Sequence, residues 1–144
     1  MNQPSKLSPF VGGMLRKDRF LRARRAPVLL LPYQYQLQGE ILFTVKPQAV
    51  GRDWLLFLCG GSPHIGACAL GFPHGHAMLM VHDGHREGDV AQKIASTIAP
   101  LVKAVVCVIA GIHFDAISKE KINNILNGIN IYLDYIKQQH SIRR

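Results

Sequence analysis

The sequence predicts an α+β fold, in which a mixed and mainly antiparallel sheet of about five strands carries two helices on one face. Three observations lead to this prediction. Short strand-like segments separated by glycine and proline turns fill residues 34–82, and their short connections favour antiparallel neighbours. Helical periodicity then appears twice, on either side of one strongly apolar segment. The 144 residues fit a single two-layer domain.

The first strands are predicted from apolar patterning. Residues 28–32 lie between prolines and indicate a short edge strand or an extended lead-in. Residues 34–45 alternate between apolar and polar side chains, which predicts one half-buried strand that ends at the Lys-Pro pair after it. Residues 53–59 are almost uniformly apolar and predict a buried strand that stops at two glycines.

The next two strands form the antiparallel half of the predicted sheet. Residues 65–71 are unusually small, which indicates close approach by another backbone or a flat ligand, or tight packing of a helix. Residues 76–82 follow a Pro-His-Gly turn and are predicted to pair with them.

The remaining elements are two helices and a strand. Residues 87–99 place apolar side chains along one helical face, and Pro100 is expected to help end that helix. Residues 102–111 are rich in β-branched side chains and predict the most strongly apolar strand. A last helix is predicted after Ser118, whose hydroxyl is well placed as an N-cap.

The positive charge is concentrated at one end of the chain. Residues 1–25 hold seven Lys or Arg against one Asp, whereas the rest holds ten against eight. We therefore predict a basic arm over residues 1–26 and a nearly neutral domain over residues 27–144. Such an arm suits a solvated tail, an acidic partner, an anionic membrane or nucleic acid. The chain has neither the aromatic pattern nor the recognition helix of a nucleic-acid-binding module, so nucleic acid is the least favoured partner.

Cysteine usage and hydropathy predict a protein of a reducing compartment. The three cysteines are odd in number and each lies in an apolar stretch, which favours reduced core thiols over a disulfide framework. The apolar runs are too short to span a bilayer, and no pattern typical of a secretory signal precedes the domain. We expect a cytoplasmic location.

Three polar clusters lie where apolar strands begin or end. They span residues 60–67, 82–89 and 111–115, and each offers a histidine. Because strand ends meet at the rim of a sheet, we expect these loops to converge on one ligand or metal site. The histidines of this predicted site are His64, His85 and His113.

Two kinds of chemistry suit such a site. Imidazoles are suitable ligands for a divalent metal together with nearby carboxylates, which are those of Asp83, Glu87, Asp89 and Asp115. Spacing alone leaves hydrogen-bonded structural histidines as an alternative. The N–H groups of Gly60 and Gly61 are suited to cradle a phosphate or an oxyanion. A nucleophilic role for Cys59 or Ser62, with a histidine as base, is a further alternative, but Cys59 is predicted to be a core thiol.

The clusters also carry a resemblance to a known family. The motifs GGSPHIGA at residues 60–67, GHREGDV at 84–90 and VCVIAGIHFD at 106–115 together resemble the accessory D component of gallate decarboxylase, or prenylated-flavin chaperone-like domains. The resemblance covers about residues 34–137. In the second motif the sequence REGD stands where the family has an acidic pair, so the resemblance assigns no metal-ligand role to Glu87 or Asp89.

This resemblance implies a non-catalytic helper of UbiD-type decarboxylases. Such a helper would bind prenylated FMN, or FMN, and deliver or mature it, with a flavin prenyltransferase as a further partner and Mn or Zn as a metal. The flat ring suits small residues and an aromatic neighbour such as Trp54, Phe72 or Phe114. The implied cofactor-binding residues are Gly60, Gly61, Ser62, Pro63, His64, Gly66, His85, Arg86 and His113. The implied metal ligands are His64, His85, His113 and Asp115.

Two further expectations accompany this reading. A metal-dependent enzyme acting on a small aromatic or phosphorylated substrate is the alternative function, because the same histidines suit that chemistry. A homo-oligomer is expected, because a small domain with exposed strand edges often completes a site across a symmetric interface.

Overall fold

The computed structural model describes residues 29–142. The predicted basic arm over residues 1–26 therefore lies outside the described residues. Of the predicted edge strand or lead-in, residues 29–32 are described, and they form no strand although Leu30 is buried. The edge strand is therefore not formed by the described part of this stretch.

Six strands form one mixed sheet that carries two helices, which confirms the predicted α+β class. The strands lie in the order β1-β2-β3-β6-β4-β5. The contact between β3 and β6 is parallel, and the other strand pairs are antiparallel. The elements are β1 (Tyr33–Leu37), β2 (Glu40–Val50), β3 (Asp53–Gly61), β4 (Ala67–Gly71), β5 (Ala77–Val81), α1 (Gly88–Val102), β6 (Val106–His113) and α2 (Lys119–Ile142).

The single strand predicted over residues 34–45 is wrong, because this stretch is a hairpin. Gln38 and Gly39 have φ angles of 51° and 80° and form the two-residue loop between β1 and β2. Two successive positive φ angles are the geometry that turns a chain back on itself in a tight hairpin. Polar and apolar residues keep alternating through the loop, so the alternation does not indicate a turn between two strands. β2 also continues past Pro47 to Val50 instead of ending there.

The predicted boundary between the first helix and the following strand is also wrong. α1 runs through Pro100 to Val102, and Lys103 ends it in a left-handed conformation with φ of 53°. β6 begins only at Val106. Val102 is β-branched and apolar, so its residue type fits the end of a buried helix as well as the start of a buried strand.

Both helices pack on one face of the sheet, where the core lies. The side chains of Phe43, Leu56 and Val108 on the sheet and of Ile94 on α1 are fully buried there. The small residues of β4 are explained by this packing, since Ala67 and Ala69 are buried and β4 contacts α1. Helix packing is therefore the correct alternative for residues 65–71. None of the described helices is long and apolar enough to cross a membrane.

The cysteines are free thiols but do not belong to the core. Cys59, Cys68 and Cys107 are half-buried and occupy strand positions that alternate with core residues, so their side chains lie on the sheet face opposite the helices. Their prediction as core thiols is corrected in this respect. Strand residues on both faces are apolar here, and such a pattern does not distinguish the helix-covered face from the other.

Candidate functional site

The three predicted histidines converge in one pocket at the end of the sheet. The pocket has a volume of about 250 Å³ and is lined by Ser62, Pro63, His64, His85 and His113. These residues come from the loop after β3, the loop between β5 and α1, and the last residue of β6. The parallel pairing of β3 with β6 brings Gly61 beside His113 and so joins two of the three loops.

The loop after β3 crosses the end of β6 at very short range. Ser62 donates its backbone N–H to the carbonyl oxygen of His113 at 2.9 Å, and Gly66 donates to Ala110 at 2.9 Å. Between these two bonds, a Cβ on Gly111 would lie 1.7 Å from the carbonyl oxygen of His64. Only glycine allows this approach, so residue 111 fixes where the backbone of His64 lies.

Both ring nitrogens of His64 face hydrogen-bond acceptors. Nδ1 lies 3.1 Å from the carbonyl oxygen of Ser62, which can only accept, so Nδ1 carries a proton. Nε2 lies 3.0 Å from a carboxylate oxygen of Glu87. A neutral imidazole has one N–H, so a second proton or a metal ion is needed between Nε2 and Glu87. His64 is thus prepared to share a cation with Glu87.

Glu87 is a buried carboxylate at the start of α1, and only 9% of its surface is exposed. Its Oε1 lies 3.0 Å from Nε2 of His64 and accepts from the backbone N–H of Ile112 at 3.2 Å. Its Oε2 is buried and has no hydrogen-bond partner among the described residues. Gly66 makes room for the carboxylate, since a Cβ there would lie 2.7 Å from Oε2. An unsatisfied buried carboxylate oxygen is costly unless a ligand pairs with it.

His85 is oriented by the turn that carries it. Its Nδ1 lies 3.1 Å from the carbonyl oxygen of Asp83 and donates to it, so in the neutral ring Nε2 bears the lone pair. His82 donates from Nδ1 to the same carbonyl at 3.1 Å, and its ring lies 4.7 Å from that of His85. The ring of His85 lies 5.0 Å from that of His64. Metal-binding histidines are commonly oriented by this kind of N–H to carbonyl bond.

His113 and Asp115 lie at the exposed side of the pocket. The His113 ring meets that of His64 edge-on, with centroids 6.1 Å apart. Its Nε2 lies 3.2 Å from Oδ1 of Asp115, whose side chain is fully exposed. Within the described part of the chain, the side chains whose ligand atoms lie within 4.8 Å of one another are His64, His85 and Glu87. The geometry thus favours Glu87 over Asp115 as the carboxylate nearest the two imidazoles.

The other predicted residues occupy varied positions. Gly60 and Gly61 pair with β6, and the N–H of Ser62 is already donated, so these glycines serve close backbone packing. Their phosphate role stays a prediction. Arg86 is exposed beside His85. Of the three aromatic candidates, Phe114 directly follows His113, and its ring lies 3.9 Å from the Lys121 ammonium. Trp54 and Phe72 lie at the other ends of their strands.

A comparison with protein families identifies the chain. The family described as the prenylated flavin chaperone LpdD-like domain matches residues 37–141, from the end of β1 almost to the end of α2. The chain belongs to this prenylated flavin chaperone family. The resemblance carried by the three sequence motifs is therefore confirmed. No curated protein matches the chain.

The pocket of this chaperone-family chain fits a divalent cation. Two imidazoles oriented through Nδ1 and one buried carboxylate, whose Oε2 has no hydrogen-bond partner among the described residues, are suitable donors for Zn or Mn. The sequence placed Glu87 and His82 in one of the three converging clusters, but neither was among the predicted metal ligands or cofactor-binding residues. The burial of Glu87 depends on Gly66 and β6. A pattern of neighbouring residues does not predict contacts between residues so distant in sequence.

Proposed function

We propose that this chain is a non-catalytic accessory protein that binds prenylated FMN at the histidine pocket and delivers or matures it for a UbiD-type aromatic acid decarboxylase. The observation that carries the proposal is the convergence of His64, His85 and His113 with the buried Glu87, in a chain of the prenylated flavin chaperone family. A flavin prenyltransferase is the proposed source of the cofactor, and the cytoplasm is the proposed location.

The proposal includes a divalent metal held by His64, His85 and Glu87. Support comes from the orientation of both imidazoles and from the carboxylate oxygen that has no partner among the described residues. When bound, the metal supplies positive charge that attracts the dianionic phosphate of the flavin. The histidines and Glu87 hold that charge in place, because their other hydrogen bonds are made to the backbone.

The residues around this cluster are proposed to contact the cofactor. His113 lines the pocket without belonging to the tight ligand group, so we assign it a contact with the phosphate, with Asp115 accepting its Nε2 proton. Arg86 is exposed at the same rim and supplies a positive charge.

Cofactor retention by purified protein tests the proposal. The chain would be produced in cells that make prenylated FMN, and bound flavin would be measured from the absorbance spectrum per mole of protein. We expect His64→Ala and His113→Ala to lose the cofactor. His74→Ala and His76→Ala, which change exposed histidines of the turn between β4 and β5, are the matched controls and should retain it.

Two results would overturn the proposal. Equal retention by the His64, His113 and control variants would place the cofactor elsewhere. Turnover of a small aromatic or phosphorylated compound by the isolated chain, abolished by a chelator, would instead establish the metal-dependent enzyme, which the His–His–Glu cluster also suits.

A further inference from the structure

The sheet face opposite the helices has two unlike halves. On β1 and β2 its side chains are mostly polar, with Gln34, Gln36, Thr44, Lys46 and Gln48 in outward positions beside the apolar Ile41 and Val50. On the four neighbouring strands β3, β6, β4 and β5 they are apolar between Asp53, the first residue of β3, and His113, the last residue of β6. We call this second half the apolar patch, and its members are Leu55, Phe57, Cys59, Cys68, Leu70, Met78, Met80, Cys107 and Ile109.

The members of the apolar patch carry no charge; those on β3, β4 and β6 are half-buried, and those on β5 are exposed. Met78 and Met80 are 66% and 76% exposed, and both project from β5, the outermost strand on that side. Burial raises the pKa of the Cys107 thiol to about 11, aided by its hydrogen bond with Cys68 at 3.7 Å, so this thiol stays neutral at physiological pH. Four strands spaced by about 4.8 Å and about five residues long cover roughly 300 Å². Exposed apolar patches of this size commonly mark binding surfaces.

The apolar patch continues into the histidine pocket. On β5, the outward positions of Met78 and Met80 are followed by His82, which packs against His85. On β6, the outward positions of Cys107 and Ile109 are followed by His113, which lines the pocket. A protein that bound to the apolar patch would therefore lie directly beside the histidine pocket.

The pocket alone is too small for the proposed cofactor. Its volume of about 250 Å³ falls below the roughly 300–1,000 Å³ of pockets that enclose drug-sized ligands, and prenylated FMN is at least that large. The histidine pocket can hold the phosphate end of the molecule. The ring system then extends beyond the pocket and needs a second surface to cover it.

We propose that a second copy of this chain packs its apolar patch face to face against the first, and that the flavin ring lies where this interface meets the histidine pocket. A second copy is the occupant that the patch favours, because an uncharged surface meets its own copy without pairing like charges. Two sheets packed in this way lie about 10 Å apart. The patch forms the apolar centre of the contact, and the polar loops around it complete the roughly 800 Å² per partner of a standard interface.

The oligomeric state of the full-length chain tests this interface without reference to the cofactor. Sedimentation or light scattering should show a dimer for the wild type and a monomer for the double variant Met78→Glu/Met80→Glu. Both methionines are exposed in the single chain, so circular dichroism should show an intact fold. The control Gln34→Glu/Gln36→Glu adds the same charge to the polar half of the same face and should remain dimeric. A single Met80→Glu variant repeats the test with a smaller change.

The part of the inference that concerns the flavin ring rests on the proposed function and has its own readout. The monomeric variant should bind prenylated FMN about tenfold or more weakly than the dimer, since the ring loses its second surface. A monomeric wild type, or a dimer that survives the double variant, would overturn the interface. Unchanged cofactor affinity in the monomeric variant would overturn the shared site. A patch-dependent dimer that binds no flavin would support the interface and contradict the proposed function instead.

Discussion

At the residue scale, the central feature is one histidine between two acceptors. The contacts of His64 with Ser62 and Glu87 require a second proton or a metal ion between Nε2 and the Glu87 carboxylate, and Glu87 keeps its second oxygen without a partner in the described residues. The sequence predicted that His64, His85 and His113 would meet, because strand ends converge at a sheet rim. It did not single out Glu87 among the nearby carboxylates, because the position of this side chain depends on Gly66 in another segment.

Glu87→Gln tests the assignment of the metal-binding carboxylate. The amide keeps the size of the side chain and can still accept from Ile112, but it removes the negative charge that a cation needs. We expect Zn or Mn affinity to fall by about tenfold or more, measured by competition with a coloured chelator. Asp115→Asn, at a fully exposed position, is the control and should stay near wild type. The reverse order of effects would show that Asp115 is the ligand.

Gly111→Ala tests the close approach that positions His64. A methyl group would lie 1.7 Å from the His64 carbonyl oxygen, so the loop must move away from β6. We expect a loss of about 1–3 kcal/mol in the free energy of unfolding, with weakened metal binding at temperatures where the variant is folded. Denaturant unfolding and metal titration would measure the two effects. Wild-type metal affinity in a folded variant would show that this contact does not position the histidine.

At the element scale, the sequence predicted strands and helices wherever packing on one face creates a period. The helix over 87–99 and the strand over 53–59 lie close to their predicted positions in α1 and β3. Predictions failed where backbone conformation decides the structure. The positive φ angle of Gln38 helps form the hairpin loop, and that of Lys103 ends α1. Neither glutamine nor lysine is a residue type that predicts a positive φ angle.

Tyr132 on α2 provides a stability test of this packing. It is fully buried, and its hydroxyl has no hydrogen-bond partner among the described residues. Tyr132→Phe removes that hydroxyl and keeps the ring, so we expect the free energy of unfolding to rise by up to about 1 kcal/mol. Denaturant unfolding would measure the change. Tyr135→Phe, on the exposed side of the same helix, should have little effect, and marked destabilisation by Tyr132→Phe would contradict the assignment.

The same residue predicts an alkaline loss of stability. Burial raises the pKa of Tyr132 well above its ordinary value of 10.0. The folded state therefore holds this proton more tightly than the unfolded state, and its contribution to stability is complete below pH 10 and declines as the pH rises further. We expect Tyr132→Phe to lose less stability than the wild type between neutral pH and pH values above 10. Parallel declines in the two proteins would contradict this account.

At the scale of the whole molecule, the sheet joins a helix-covered core to an uncovered apolar patch that leads into the pocket. The sequence predicted two layers, but apolar side chains on both faces of β3, β4 and β6 left the uncovered face unidentified. The face becomes visible only when alternate positions are assigned to the core by contact with α1 and α2. The order of the strands likewise depends on long-range pairing that no local pattern specifies.

Metal binding should stabilise the entire domain, since the pocket joins loops that connect β3, α1 and β6. A ligand at about 100 times its dissociation constant adds about 2.7 kcal/mol, which for a domain of this size raises the Tm by about 5–10 °C. Thermal unfolding with Zn or Mn, and again after a chelator, would measure this shift. Glu87→Gln should reduce it, whereas an equal shift in that variant would place the metal at another site.

The most direct test of the central claim is an anaerobic titration of the purified full-length chain, followed by absorbance. FMN and prenylated FMN would each be titrated with and without Mn or Zn, and His64→Ala would be titrated in parallel. We expect saturable, metal-strengthened binding that favours prenylated FMN and is lost in the variant. Failure to bind either flavin with metal present, or equal binding by wild type and His64→Ala, would contradict it.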